Sequence, residues 1–66
     1  MIFDFRDIII KEGDVIAYPG RKGSDLFMTE GIVTAIHETG NIEVQSRYTG
    51  KRRIILRTDR VAVLGR

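Results

Sequence analysis

Cysteine and tryptophan are absent from this chain, and proline and histidine occur once each. Without thiols there is neither a disulfide framework nor a thiolate metal site, so packing alone must hold the fold together. A single imidazole, His37, with no cysteine beside it excludes the usual zinc ligand sets. Long apolar runs are missing too. Runs such as the three isoleucines at 8–10 and the four residues 61–64 fall far short of the ~20 that span a bilayer. Near the N-terminus stand Asp4 and Asp7, where a secretory signal would be basic. The expectation is a soluble, cytoplasmic protein with no metal, no cofactor and no membrane contact.

What is present points to β-structure. At 66 residues the chain makes one domain that buries only about 60% of its unfolded surface. Isoleucine, valine, threonine and tyrosine are frequent, and glycine punctuates at 13, 20, 23, 31, 40, 50 and 65. Short β-branched runs between evenly spaced turn signals predict five strands, near 14–18, 27–36, 41–47, 52–57 and 61–64. The segment YPGRKGSDLFM (18–28) reads as a long loop running into the second strand. Its glycines are three apart and strand-like residues follow, so it lacks the glycine spacing and the helix of a phosphate-binding loop.

HETGN and RYTGK are the two clearest hairpin turns. Period-two alternation argues for three-residue loops, 38–40 and 48–50, with Gly40 and Gly50 in the left-handed conformation. In that register Ile36 opposes Ile42, Val44 opposes Ile54, and Ile42 opposes Leu56. The inner face is then Ile32, Ile36, Ile42, Val44, Ile54 and Leu56, with Thr34 as its polar member. Parity turns Leu26 and Met28 inward and Phe27 outward. On the outer face Arg47 aligns with Lys51, Gln45 with Arg53, and Asn41 with Arg57.

A three-stranded meander framed by a first strand with a long loop and a last strand after a tight turn is the layout of an all-β, five-stranded SH3-like small barrel. We place it over residues 12–66, behind an N-terminal arm of residues 1–11. The pattern GDVIAY, GIVTAI, GNIEV resembles KOW and Tudor-type SH3-like domains. The segment Tyr18-Pro19-Gly20-Arg21-Lys22-Gly23-Ser24 with Met28 is similar to short proteins of actinobacterial bacteriophages. That likeness implies a barrel fold and a phage setting, and it supplies no activity.

Charge is polarised along the chain. Residues 1–33 hold four Lys or Arg against six Asp or Glu, whereas residues 34–66 hold seven against three. Such asymmetry favours a polyanionic partner. The second hairpin supplies Arg47, Lys51, Arg52, Arg53 and Arg57, with Tyr48 at its tip, and Arg21 and Lys22 join from the long loop. Guanidinium groups grip phosphates bidentately, and a tyrosine ring stacks on an exposed base. The expected function is therefore a non-enzymatic module that contacts DNA or RNA without sequence readout. The rival reading is a protein-interaction module, a phage product docking on a host or virion protein or a homo-oligomer. It would use Phe3, Phe5, Tyr18, Phe27 and Ile55. Asp4, Asp7, Glu12 and Asp14 form an acidic cluster, but neither it nor Ser24, Ser46 and His37 makes a nucleophile–base set.

Overall fold

A computed structural model describes residues 1–65, the side chains of Arg21 and Lys22 apart. The β-branched runs form five strands: β1 (Val15–Lys22), β2 (Asp25–Ile36), β3 (Ile42–Ser46), β4 (Arg52–Ile55) and β5 (Ala62–Gly65). One 3₁₀ turn, Thr58–Arg60, leads into β5. All pairings are antiparallel, and the sheet runs in the order β4-β3-β2-β1-β5. β4 and β5 are its two borders, so the sheet is open. No helix among the described residues is long and apolar enough to cross a membrane.

The expected long loop is instead a hairpin. Pairing of β1 with β2 continues from Val15↔Ile32 to Lys22↔Asp25, leaving only Gly23 and Ser24 at the tip. Gly23 has φ +62°, the glycine-first arrangement that two-residue hairpin turns favour. Pro19 and Gly20, turn-forming residues by type, lie within β1.

Two local features set which side chains face the core. Between Val33 and Ala35 the β2–β3 register shifts by one residue. The extra residue is Thr34, whose hydroxyl donates to the Glu43 carbonyl on the exposed side. A bulge of this kind reverses the alternation, so Val33 enters the core and Thr34 leaves it, sparing the cost of a poorly partnered buried hydroxyl. Upstream of the bulge the phase is inverted from the expected one. Ile32, Leu26 and Met28 are exposed, while Phe27 turns to the core side, its ring over the bare backbone of Gly20 but still 47% exposed.

The second feature is the β3–β4 turn. Ile42 opposes Ile55, Glu43 opposes Ile54, and Val44 opposes Arg53, which corrects the expected register by one. The loop is four residues, 47–50. Ser46 Oγ accepts the N–H groups of Tyr48 and Thr49, and the Gly50 N–H reaches the Ser46 carbonyl at 3.0 Å. That extra turn puts Ile55 inside, 7% exposed, and turns Ile54 and Leu56 out, at 52% and 71%. The first hairpin is as expected, with Ile36 opposite Ile42 and positive φ at Gly40; Gly50 also has positive φ.

The core is Ile16 and Tyr18 from β1, Val33, Ile42, Val44, Ile55 and Val63 from the other strands, with Ile10 and Val61 closing its ends. Each buried aliphatic side chain contributes about 1.5–3 kcal/mol. Gly31 lets the Tyr18 ring in. A Cβ there would lie 2.7 Å from the Gln45 carbonyl oxygen and 2.9 Å from Tyr18 Cε1.

The N-terminal arm folds back on itself around Asp4. Phe3 bridges Ile9, Asp7 takes a positive φ of 63°, and the Asp4 N–H donates to the Ile8 carbonyl. Asp4, 3% exposed, accepts the N–H groups of Arg6 (2.8 Å), Ile8 (3.0 Å) and Val63 (2.9 Å), plus Nη2 of Arg6 (3.3 Å). The Phe5 N–H donates to the Val61 carbonyl, and Nη2 of Arg6 to that of Val63. The arm thus occupies the β5 border. Asp14 is buried as well and accepts the Lys11 N–H at 2.8 Å. Asp4 and Asp14 therefore act as backbone anchors.

Candidate nucleic-acid interface

Arg53 stands opposite Val44, so it shares the core's face although it lies on a border strand. Its side chain leaves the core sideways, and Nη1 donates to the Pro19 carbonyl at 2.9 Å. That bond spans a seam between β4 and the β1–β2 hairpin, which do not pair with each other in the sheet. Beneath it runs a groove of about 450 Å³. Pro19 and Leu26 line one wall; Ile54 and Leu56, turned outward by the four-residue loop, line the other. Arg57 and Arg60, from the two ends of the 3₁₀ segment, join Arg53 at the rim.

The rim is cationic. Arg57 Nη2 and Nε reach the Asp59 carboxylate at 2.8 and 3.3 Å. Hydrogen bonding to Asp59 raises the Arg57 pKa, and the same bonds hold the Asp59 carboxyl below its ordinary range. Both side chains are more than half exposed, so the pair is screened and a competing anion can reach the guanidinium. Among the described residues no carboxylate forms an ion pair with Lys51, Arg52, Arg53 or Arg60.

The expected ribbon of cations along one outer face is divided. Val44↔Arg53 and Gln45↔Arg52 put Arg53 and Arg52 on opposite faces, so Gln45 aligns with Arg52 in place of Arg53. Lys51 meets Ser46, its carbonyl accepting the Ser46 N–H at 2.9 Å, in place of Arg47. Arg47 turns back to Glu30, Nη1 to Oε2 at 3.3 Å. The physical reason is the same one-residue register change. Tyr48 stands at the loop tip, 73% exposed. The side chains of Arg21 and Lys22 lie outside the described residues.

Arg60 is the functional candidate that sequence reasoning missed. In the sequence Thr58-Asp59-Arg60 signals only the tight turn before the last strand, whereas the 3₁₀ segment there brings Arg60 to the same groove as Arg53 and Arg57. Of the residues proposed for a protein partner, Tyr18 and Ile55 are buried, Tyr18 over Gly31 and Ile55 through the corrected register. Phe3, Phe5 and Phe27 remain exposed, with the Arg6 guanidinium 5.6 Å from the Phe5 ring centroid. Among the described residues no three His, Cys, Asp or Glu side chains gather to hold a metal ion.

The fold and the site together define an all-β chain with a basic, apolar-floored seam at one border of its sheet. No protein-family model, curated protein or solved structure matches it.

Proposed function

We propose that this chain is a non-enzymatic binding module that contacts nucleic acid, without sequence readout, through the side formed by the β3–β4 turn, β4 and the 3₁₀ segment. The observation that carries the reading is charge segregation. Residues 47–60 hold six Lys or Arg and one carboxylate, a balance of +5, while the rest of the chain holds five and eight, a balance of −3. Such a surface draws in a polyanion and tolerates any base sequence, because phosphate contacts carry no sequence information. Lys51, Arg52, Arg53, Arg57 and Arg60 are its phosphate-binding groups, and Tyr48 is a stacking ring at the tip.

An SH3-like small barrel is the architecture that goes with this proposal. The strand order, the 3₁₀ turn before the last strand and the seam between β4 and the first hairpin support it. A cytoplasmic setting, that of the host if the chain is phage-encoded, belongs to the same proposal. The test is an electrophoretic shift with mixed-sequence DNA and RNA across salt. With about five phosphates neutralised, log K falls against log salt with a slope of about −3.5 to −4.5. The double variant Arg53→Glu, Arg57→Glu abolishes the shift. Binding that ignores both salt and charge reversal would exclude the reading.

A protein partner, whether a host or virion protein or a second copy, is the second reading. The exposed rings of Phe3, Phe5 and Phe27 favour it. Under that reading the charge-reversed protein keeps its partner and loses it when Phe27 is replaced by serine.

A further inference from the structure

The apolar floor of the seam is not explained by phosphate binding alone. Leu26 and Leu56 are each 71% exposed and Ile54 is 52% exposed, yet all three line the same groove as Arg53, Arg57 and Arg60. Scattered exposed leucines are ordinary, whereas a cluster in a concavity marks a contact site. The ligand that fits must offer an anion and an apolar, flat surface within one short repeat.

A nucleic-acid duplex offers only the first. Its bases are stacked inside, so docking would set phosphates on the arginines and leave the floor wet. A single strand offers both. Its unstacked bases lie on apolar side chains while neighbouring phosphates take bidentate guanidinium bonds. A second copy of this chain is disfavoured, because two β4 borders facing each other would oppose Arg52 and Arg53 to their own kind. The groove, about 450 Å³, falls in the lower half of the range for small-molecule sites (~300–1,000 Å³), and so admits a ring system and not a double helix.

We infer that the β4 seam is a single-strand subsite: a base of single-stranded nucleic acid lies on Leu26, Ile54 and Leu56, and its flanking phosphates lie on Arg53, Arg57 and Arg60. This rests on the nucleic-acid reading above. Preference for a single strand comes from the floor, and salt dependence comes from the rim.

The test is fluorescence anisotropy with a labelled 15-nucleotide oligothymidylate and with the same strand annealed to its complement, at one ionic strength. The single strand binds about tenfold tighter or more. The double variant Ile54→Ser, Leu56→Ser brings single-strand affinity down to that of the duplex and leaves the salt slope and duplex binding unchanged. Both positions are exposed, so its thermal midpoint stays near that of the parent. Equal affinity for the two probes would overturn the inference while leaving the nucleic-acid reading standing. Absence of binding to both would overturn the reading itself. Displacement of the oligonucleotide by a poly-glutamate peptide of equal charge would assign the groove to an acidic protein segment and also overturn the inference.

Discussion

The Arg53 guanidinium donates to the main-chain oxygen of Pro19 at 2.9 Å, 34 residues away, joining β4 to β1, strands that are not neighbours in the sheet. Arg53 is therefore both a strut and a rim cation, and two substitutions separate the roles. Arg53→Met keeps an apolar stem over the core mouth but removes donor and charge. It should cost about 0.5–1.5 kcal/mol in thermal unfolding and make the salt slope of binding shallower by about 0.7–0.9. Arg53→Lys should show a similar stability loss with the slope retained.

Asp59 occupies part of the Arg57 guanidinium in the free protein. Replacing it by asparagine should leave unfolding unchanged, tighten nucleic-acid binding a few-fold and steepen the salt slope. Anisotropy titrations at two salt concentrations would decide it, and weaker binding would contradict the placement of Arg57 at the interface.

For Asp4, burial pushes the pKa up, but the N–H groups of Val63, Ile8 and Arg6, with the Arg6 side chain, outweigh it and the net shift is downward. A carboxyl with a depressed folded pKa stabilises the fold fully above its unfolded value, about 3.9, and that contribution is lost as pH falls through the folded value. Asp4→Asn should cost about 2–4 kcal/mol at neutral pH, since hydrogen bonds to an ionised acceptor are the strong ones. It should also flatten the acid limb of stability against pH. Denaturant titrations from pH 7 to pH 2 on both proteins would show it.

The β3–β4 register has a direct signature. Ile55→Ala should destabilise by about 2–5 kcal/mol as a core truncation, whereas Ile54→Ala should stay within about 0.5 kcal/mol. The reverse order would restore the three-residue loop.

At Gly31 the obstacle to a side chain is the Gln45 backbone oxygen, which cannot swing away. Gly31→Ala should therefore cost about 1–3 kcal/mol, read as a lower unfolding midpoint.

Strand number, the antiparallel meander and the first hairpin were legible because each rests on runs of β-branched residues and on Gly40. Two polar side chains made the rest harder to read. Thr34 is close in shape to valine, and pattern alone could not tell whether it sits in the core or is extruded in a bulge with its hydroxyl on the Glu43 carbonyl. Ser46 lengthens the next turn by one residue through the N–H groups of Tyr48 and Thr49, a hydroxyl-capped turn that glycine position does not report. Each shift inverts one strand, which is why Tyr18 and Ile55 went inward and Leu56 outward. The cations are neighbours because they are contiguous in sequence, but Arg52 and Arg53 take opposite faces of β4, and the grouping of Arg53, Arg57 and Arg60 at the seam depended on the inversion.

The arm has a bearing on how molecules of this protein behave toward one another. It satisfies the Val61 carbonyl and both backbone groups of Val63, the groups through which β5 would otherwise offer itself as a template to another chain. The Asp4 carboxylate makes one of those bonds directly and organises the arm that makes the others. Protonation of Asp4 should therefore loosen the arm and bare the β5 edge, and the acid-treated protein is expected to self-associate through β5, read as a rise in sedimentation mass, at a pH where its positive charge would otherwise keep molecules apart.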